Sequence, residues 1–243
     1  MKFGNTTIGG MSFGSTKIGG AKYGNTLVFQ SGPAIPDGPL EYIETDGSAY
    51  IDTGIEGKWP RSCEMKILVV STTWAVFLGD RVANNGNRFQ MVMTGSNRVD
   101  FGTYTSYYNG VDITDSVTNG TPLLVRASLK RSNTSYIAAK QEGESSYTSK
   151  TGSAYPPGNV TTTGLNMFLF AGNNGGTPGS FEPAGTRLYY CKIYSDDSLS
   201  TLVFDGVPYR YNHKCGLWDN VSNTFFGNAN SSGAFIGGPN VSQ

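Results

Sequence analysis

The sequence predicts an all-β chain with a sandwich at its heart, and three observations lead there. Composition is the first: 33 glycines and 11 prolines punctuate 243 residues, with 12% aromatic and only 15% charged residues. That mixture suits short strands joined by tight turns, not helices with charged faces. The second is the recurrence of period-two patterns with no sustained helical period anywhere. The third is the stretch Thr186–Tyr194. On a strand it places Leu188, Tyr190 and Tyr194 on one side and Tyr189, Cys191 and Ile193 on the other, so both faces are expected to be buried.

Bulk properties narrow the function classes. A chain of this length holds one large all-β domain or two small ones. Lys plus Arg equals Asp plus Glu at 18 each, and a chain without net charge is not expected to bind nucleic acid. The longest apolar runs, Ile67–Val70 and Trp74–Leu78, are too short to cross a bilayer, so no membrane insertion is expected. Met1 to Ile8 is polar and glycine-rich with no apolar stretch behind it, so no secretory signal is expected either. Cys63, Cys191 and Cys215 are odd in number and lack metal-ligand spacing, which predicts free thiols in a reducing compartment.

Taken in order, residues 1–30 are an internal repeat. Lys2-Phe-Gly-Asn-Thr-Thr-Ile-Gly-Gly10, Ser12-Phe-Gly-Ser-Thr-Lys-Ile-Gly-Gly20 and Lys22-Tyr-Gly-Asn-Thr-Leu-Val28 align with a ten-residue step. An aromatic (Phe3, Phe13, Tyr23) and a branched aliphatic (Ile8, Ile18, Val28) recur around a Gly-Asn or Gly-Ser turn, so each unit reads as two tiny strands. One aromatic and one aliphatic cannot bury a core alone, so these six residues are expected to dock on other subunits. Residues 31–39 carry three prolines and read as a stiff linker. From Leu40 to Gln243 the pattern is β throughout. Short strands flank the turn Asp46-Gly47, and Cys63–Val70, Ala75–Leu78, Arg88–Met93 and Arg98–Phe101 follow. Leu123–Leu129 and Ser135–Lys140 form a hairpin, and Ser145–Gly164 reads as a loop. Asn166–Ala171 and Leu188–Tyr194 are buried strands joined by a polar loop, and Leu199–Phe204, Gly216–Asp219 and Thr224–Phe226 close the chain.

At this point the residues resemble a known group. Leu40-Glu-Tyr-Ile-Glu-Thr-Asp-Gly-Ser-Ala-Tyr-Ile-Asp-Thr-Gly-Ile55, the strand Leu188–Tyr194, and Gly216-Leu-Trp-Asp-Asn-Val-Ser-Asn-Thr-Phe-Phe-Gly-Asn-Ala229 are similar to the concanavalin A-like (laminin G-like) jelly-roll domain of bacteriophage and prophage virion proteins. The N-terminal repeat is similar to short repeats that precede such domains. The resemblance implies a jelly-roll head on a virion fibre or decoration, assembled as a homo-oligomer with a trimer as first candidate. It implies partners among other virion proteins through residues 1–30, and a virion location after synthesis in the host cytoplasm. It fixes no ligand, because this fold carries lectins, glycosidases and purely structural modules.

Gly10-Met-Ser-Phe-Gly14 fits a nucleophile pattern but straddles two repeat copies, where no strand-to-helix turn is expected. His213, the single histidine, stands two residues from Cys215, and such residues on a strand lie about 7 Å apart at the backbone. A glycoside hydrolase needs two carboxylates flanking the sugar; Glu142 and Glu144 are the nearest pair but flank Gly143 just past a hairpin strand, so no enzyme activity is expected. Asp80 and Asp100 lack the clustered acidic loop of a calcium site, so neither metal nor cofactor is expected. Two stretches combine aromatics with amides: Asn84, Asn85 and Asn87 in one, and Tyr104, Tyr107, Tyr108 and Asn109 in the other. Tyr rings stack on the C–H faces of sugars while amides hold hydroxyls, so these are the candidate carbohydrate-binding residues. Two functions stay open: a lectin-like head for host-surface or mucosal glycan, and a decoration that only packs against virion subunits.

Overall fold

The computed structural model describes residues 37–71, 73–82, 87–94, 98–103, 107–112, 120–129, 134–152 and 163–241, and the backbone of six short strands between Lys2 and Gln30. The chain forms two compact units, Met1–Pro36 and Asp37–Gln243. Among the described residues there is no helix, and hence none long and apolar enough to cross a membrane.

The first unit is three separate hairpins. β1 (Lys2–Phe3) pairs with β2 (Thr6–Thr7), β3 (Met11–Phe13) with β4 (Thr16–Ile18), and β5 (Gly20–Tyr23) with β6 (Thr26–Gln30). Phe3 stands opposite Thr6, Phe13 opposite Thr16 and Tyr23 opposite Thr26. That common register leaves two residues between the paired strands each time, so the ten-residue sequence period is a hairpin period. Ile18 lies in β4 and Val28 in β6, while Ile8 falls outside the described residues. Ser12 sits in a hairpin strand opposite Lys17, not on the strained turn a nucleophile requires.

The second unit begins with β7 (Gly38–Pro39) and β8 (Ile43–Thr45). There follow β9 (Ile51–Glu56), β10 (Ser62–Leu68), β11 (Ala75–Arg81), β12 (Arg88–Thr94), β13 (Arg98–Thr103) and β14 (Tyr107–Asp112). β15 (Leu123–Leu129), β16 (Ser135–Gln141) and β17 (Thr148–Thr151) form a meander, and β18 (Asn166–Leu169), β19 (Gly172–Asn174) and β20 (Thr177–Gly179) come next. The long strands β21 (Arg187–Tyr194) and β22 (Leu202–Tyr211) lead to β23 (Lys214–Asp219), β24 (Thr224–Phe226) and β25 (Phe235–Gly237).

These strands make two sheets. The first runs β17-β16-β15-β10-β21-β22-β23-β24, with β7 on β22 and β8 between β21 and β25. The second runs β14-β13-β12-β11-β18-β9, with β19 on β11 and β20 on β19. Their pairings are antiparallel except β11 with β19. One core fills the space between them: Met65, Val125, Ile193, Phe204 and Leu217 from the first sheet meet Leu78, Phe89, Met91, Phe101 and Leu169 from the second. Phe89 and Phe101 pack edge to face with ring centres 4.9 Å apart. Burying rings of this size stabilises the sandwich by about 2–3 kcal/mol each.

Several elements depart from the sequence reading. The Asp46-Gly47 turn does not return the chain to the same sheet. It carries it from β8 in the first sheet to β9 in the second. β21 is central, as expected, and Tyr194 is buried, but Tyr189 and Tyr190 on its outer face are not. A bulge against β10 pairs Lys66 with Tyr190 and Ile67 with Leu188, leaving Tyr189 as the extra residue. The extra residue resets the phase, so Leu188, Cys191 and Ile193 all reach the core while Tyr189 and Tyr190 stay half-buried on the outer face. β22 runs on past Phe204 through Gly206 and Pro208, because the Pro208 carbonyl still accepts the Leu40 N–H at 2.9 Å. The stretch read as the loop Ser145–Gly164 contains β17, and the polar loop between β18 and β21 contains the hairpin β19–β20.

Candidate functional site

The outer face of the first sheet ends in a group of aromatic rings. Phe204 and Leu217 define the core side of β22 and β23, and side chains alternate along a strand. Tyr209 and Tyr211 on β22, Trp218 on β23 and Phe225 on β24 therefore face outward. Ring centres lie 5.6 Å apart for Tyr209–Trp218, 6.2 Å for Tyr211–Trp218 and 5.4 Å for Tyr211–Phe225. Gly216 makes room for this arrangement: a Cβ there would stand 2.8 Å from Phe225 Cζ and 2.3 Å from the Phe226 carbonyl oxygen. Tyr211 keeps 44% of its surface exposed.

The two-residue turn joining β22 to β23 forms one rim of the site. Asn212 and His213 have φ of 48° and 63°, the paired left-handed conformations that match the twist of a tight hairpin. Their backbone N–H groups donate to the Asp37 carboxylate at 2.7 and 3.1 Å, and these bonds hold that carboxyl below its ordinary range. A cleft of about 600 Å³ opens beside the turn, lined by Tyr211, Asn212, His213, Lys214, Phe225 and Asn228 among others. That volume is typical of small-molecule sites.

The polar groups of the cleft divide into spent and open ones. Asn228 Oδ1 accepts from the Tyr50 and Asn230 amides, and its Nδ2 donates to the Ser232 and Gly233 carbonyls. Asn230 Nδ2 donates to the Ser48 carbonyl. Both amides thus pin the wall of the cleft to the β8–β9 turn. Among the described residues, the side chains of Asn212, His213 and Lys214 and the Tyr211 hydroxyl make no hydrogen bond or ion pair.

Elsewhere on the same face, rings are covered by cations. Arg187 lies 4.4 Å from the centre of Tyr42, Lys66 4.6 Å from Tyr189, Arg126 4.5 Å from Tyr147 and Lys192 5.8 Å from Tyr190. The same cations pair with Glu44, Glu142, Glu64 and Asp205 respectively. Among the described residues no cation lies over Tyr209, Tyr211, Trp218 or Phe225. Two of these uncovered rings, Tyr211 and Phe225, line the cleft.

Of the candidate carbohydrate-binding residues, Tyr107, Tyr108 and Asn109 lie on the other sheet. Asn84, Asn85 and Tyr104 are outside the described residues, and Asn87 offers its carbonyl to the Val82 N–H at 2.9 Å. Tyr107, Tyr108 and Asn109 belong to the edge strand β14, not to a loop; Tyr107 is opposite Thr103 and Tyr108 opposite Gly102. Phe89 is paired with both Asp80 and Thr103, so the β11–β12 and β13–β14 connections fall at one end of the second sheet. The side chains of residues 107–109 also lie outside the described set.

The acids are otherwise occupied. Asp80 is buried near that end, accepts the Gly57 N–H at 2.8 Å, and is pushed up to about 8 by burial. Asp100 pairs with Arg98 at 2.9 Å and accepts the Thr94 hydroxyl at 2.8 Å. Glu142 pairs with Lys66, and Glu144 accepts the Gln141 N–H. Glu182 is buried, touches the Thr186 hydroxyl at 3.4 Å, and is raised to about 8 by loss of solvation. No group of three potential metal ligands occurs among the described residues.

By its two facing antiparallel sheets and shared core, the second unit is a jelly-roll sandwich of the concanavalin A-like type. No protein-family model matches the chain, and no curated protein does. Among solved structures it is similar to the Ruminococcus gnavus IT-sialidase CBM40, at 14% identity and TM-score 0.44, covering 65% of this chain and 94% of that one. It is similar to domains LG4-5 of the mouse laminin alpha1 chain at 11% identity and TM-score 0.43, covering 70% and 46%. It is also similar to tailspike protein 2 of Escherichia coli O157:H7 bacteriophage CAB120, at 9% identity and TM-score 0.40, covering 68% and 26%. With all three scores below 0.5, the fold assignment rests on strand order and core.

Proposed function

We propose that Asp37–Gln243 is a non-enzymatic, lectin-like head that binds host-surface or mucosal glycan through its exposed aromatic face. The observation that carries this reading is the uncovered Tyr209–Tyr211–Trp218–Phe225 group beside a cleft whose rim holds unpaired polar side chains. Sugar C–H faces pack on such rings, and hydroxyls bond to the amide and imidazole groups of Asn212 and His213. The head belongs to a bacteriophage virion protein in this reading, supported by the likeness of residues 40–55 and 216–229 to virion jelly rolls. The N-terminal hairpins support docking: each offers too little apolar surface for a core of its own, so Phe3, Phe13 and Tyr23 serve as anchors for other virion subunits. Many copies on one particle multiply a weak single-site affinity through effective concentration.

The test is a glycan array probed with the full chain in its assembled form. Binding to a defined set of oligosaccharides is the expected result. Failure to bind any glycan, in a chain that still joins virions, favours the alternative of a purely structural decoration.

A further inference from the structure

The open groups of the cleft carry one step more, which rests on the glycan reading above. Of the described residues lining it, only Lys214 bears a fixed charge, and none is an acid. On the same sheet face Lys66, Arg126, Arg187 and Lys192 each have a carboxylate within 4.0 Å, whereas Lys214 has none among the described residues. Lys214 stands opposite Tyr211 in the β22–β23 ladder, one residue beyond the Asn212-His213 turn. Two carboxylates approach the cleft, and both are engaged by the protein's own donors. Asp37 takes the two turn amides. Asp46 takes the Ser48 N–H and hydroxyl, the Ala49 N–H and the Ala234 N–H. The cleft therefore presents donors and one unpaired cation beside a stacking ring, with its neighbouring anions already satisfied.

We propose that this cleft selects glycans bearing an acidic group, a carboxylate or sulfate, which Lys214 pairs with while the sugar ring stacks on Tyr211. Asn212 and His213 supply the flanking hydrogen bonds from the same turn. An ammonium that no protein acid neutralises forms a charge-assisted bond at little cost, because nothing must be broken to free it. A neutral sugar leaves that cation without a partner, so discrimination comes from one residue.

Matched oligosaccharide pairs test this on the full chain: a galacturonate trimer against a galactose trimer, and a sulfated lactose against lactose. The expected result is binding of the acidic member at least about 10-fold tighter, the strength of one hydrogen bond to a charged group. Lys214→Gln should erase that preference by weakening the acidic member to the level of the neutral one, while Tyr211→Ala should weaken both members. Raising salt should weaken the acidic member alone. Equal affinity for both members of each pair overturns the acidic selectivity and leaves glycan binding standing. Absence of binding to either member, on these probes and across the array, removes the glycan reading itself.

Discussion

Replacing Glu182 with Gln should raise the stability of the protein at neutral and alkaline pH. The carboxyl is 1% exposed, its Oε1 has no hydrogen-bond partner among the described residues, and its Oε2 has only the Thr186 hydroxyl at 3.4 Å. Burial lifts it from the ordinary 4.5 to about 8. An acid raised in the folded state holds its proton more tightly there than when unfolded, so its contribution is fully present below about pH 4.5 and is lost as pH rises toward 8. At about 1.4 kcal/mol per pH unit, the 2.5 units between 4.5 and 7 correspond to about 3.5 kcal/mol of lost stability. Asp80 is raised in the same sense, so the substitution should roughly halve the pH slope, not abolish it. Asp46 and Asp219 have lowered values and act oppositely at acid pH, which makes pH 5–8 the window to use. Urea unfolding at pH 5, 6, 7 and 8 gives the slopes directly. Parallel wild-type and Glu182→Gln curves across that window would refute the assignment of a neutral buried carboxyl.

The remaining expectations concern packing and assembly. Phe204 is fully buried at the sheet interface, so Phe204→Ala should cost about 3–5 kcal/mol in urea unfolding. Tyr190→Ala, half-buried on the outer face with its hydroxyl 3.3 Å from Glu64, should cost only about 1–2 kcal/mol; equal costs would contradict the bulge in β21. Deleting Met1–Gln30 should leave the unfolding transition of the second unit in place and abolish incorporation into virions, whereas normal copy number in virions counts against docking by the hairpins.

Much of the architecture was legible because it is local. Leu123–Leu129 alternates cleanly in sequence, and the structure buries Leu123, Val125, Ala127 and Leu129. The ten-residue repeat translated directly into three hairpins of one register. What escaped was set by long-range pairing. The Tyr189 bulge depends on β10, more than a hundred residues away, and brings Leu188 and Cys191 to the same face. β17, Thr-Ser-Lys-Thr, is exposed at every position, so no hydrophobic pattern marks it, and β22 was cut short at Gly206 and Pro208, which normally end strands. The cleft residues are hard to read from sequence because Tyr211–Cys215 offers a single histidine and a thiol that suggest catalysis, not a stacking surface. A signal was present: Val207, Tyr209 and Tyr211 alternate up to a two-residue Asn-His turn, and Trp218 and Phe225 continue the apolar outer row.

The two candidate faces can be compared in one measurement: the affinity of the best array glycan for wild type, for Tyr211→Ala with Trp218→Ala, and for Tyr107→Ala with Tyr108→Ala. Circular dichroism confirms that each variant remains folded. The aromatic face of the first sheet predicts a loss of about 10-fold or more in the first pair and unchanged affinity in the second. Unchanged binding by the Tyr211/Trp218 pair, with loss in the Tyr107/Tyr108 pair, would move the site to the edge of the second sheet and contradict the account.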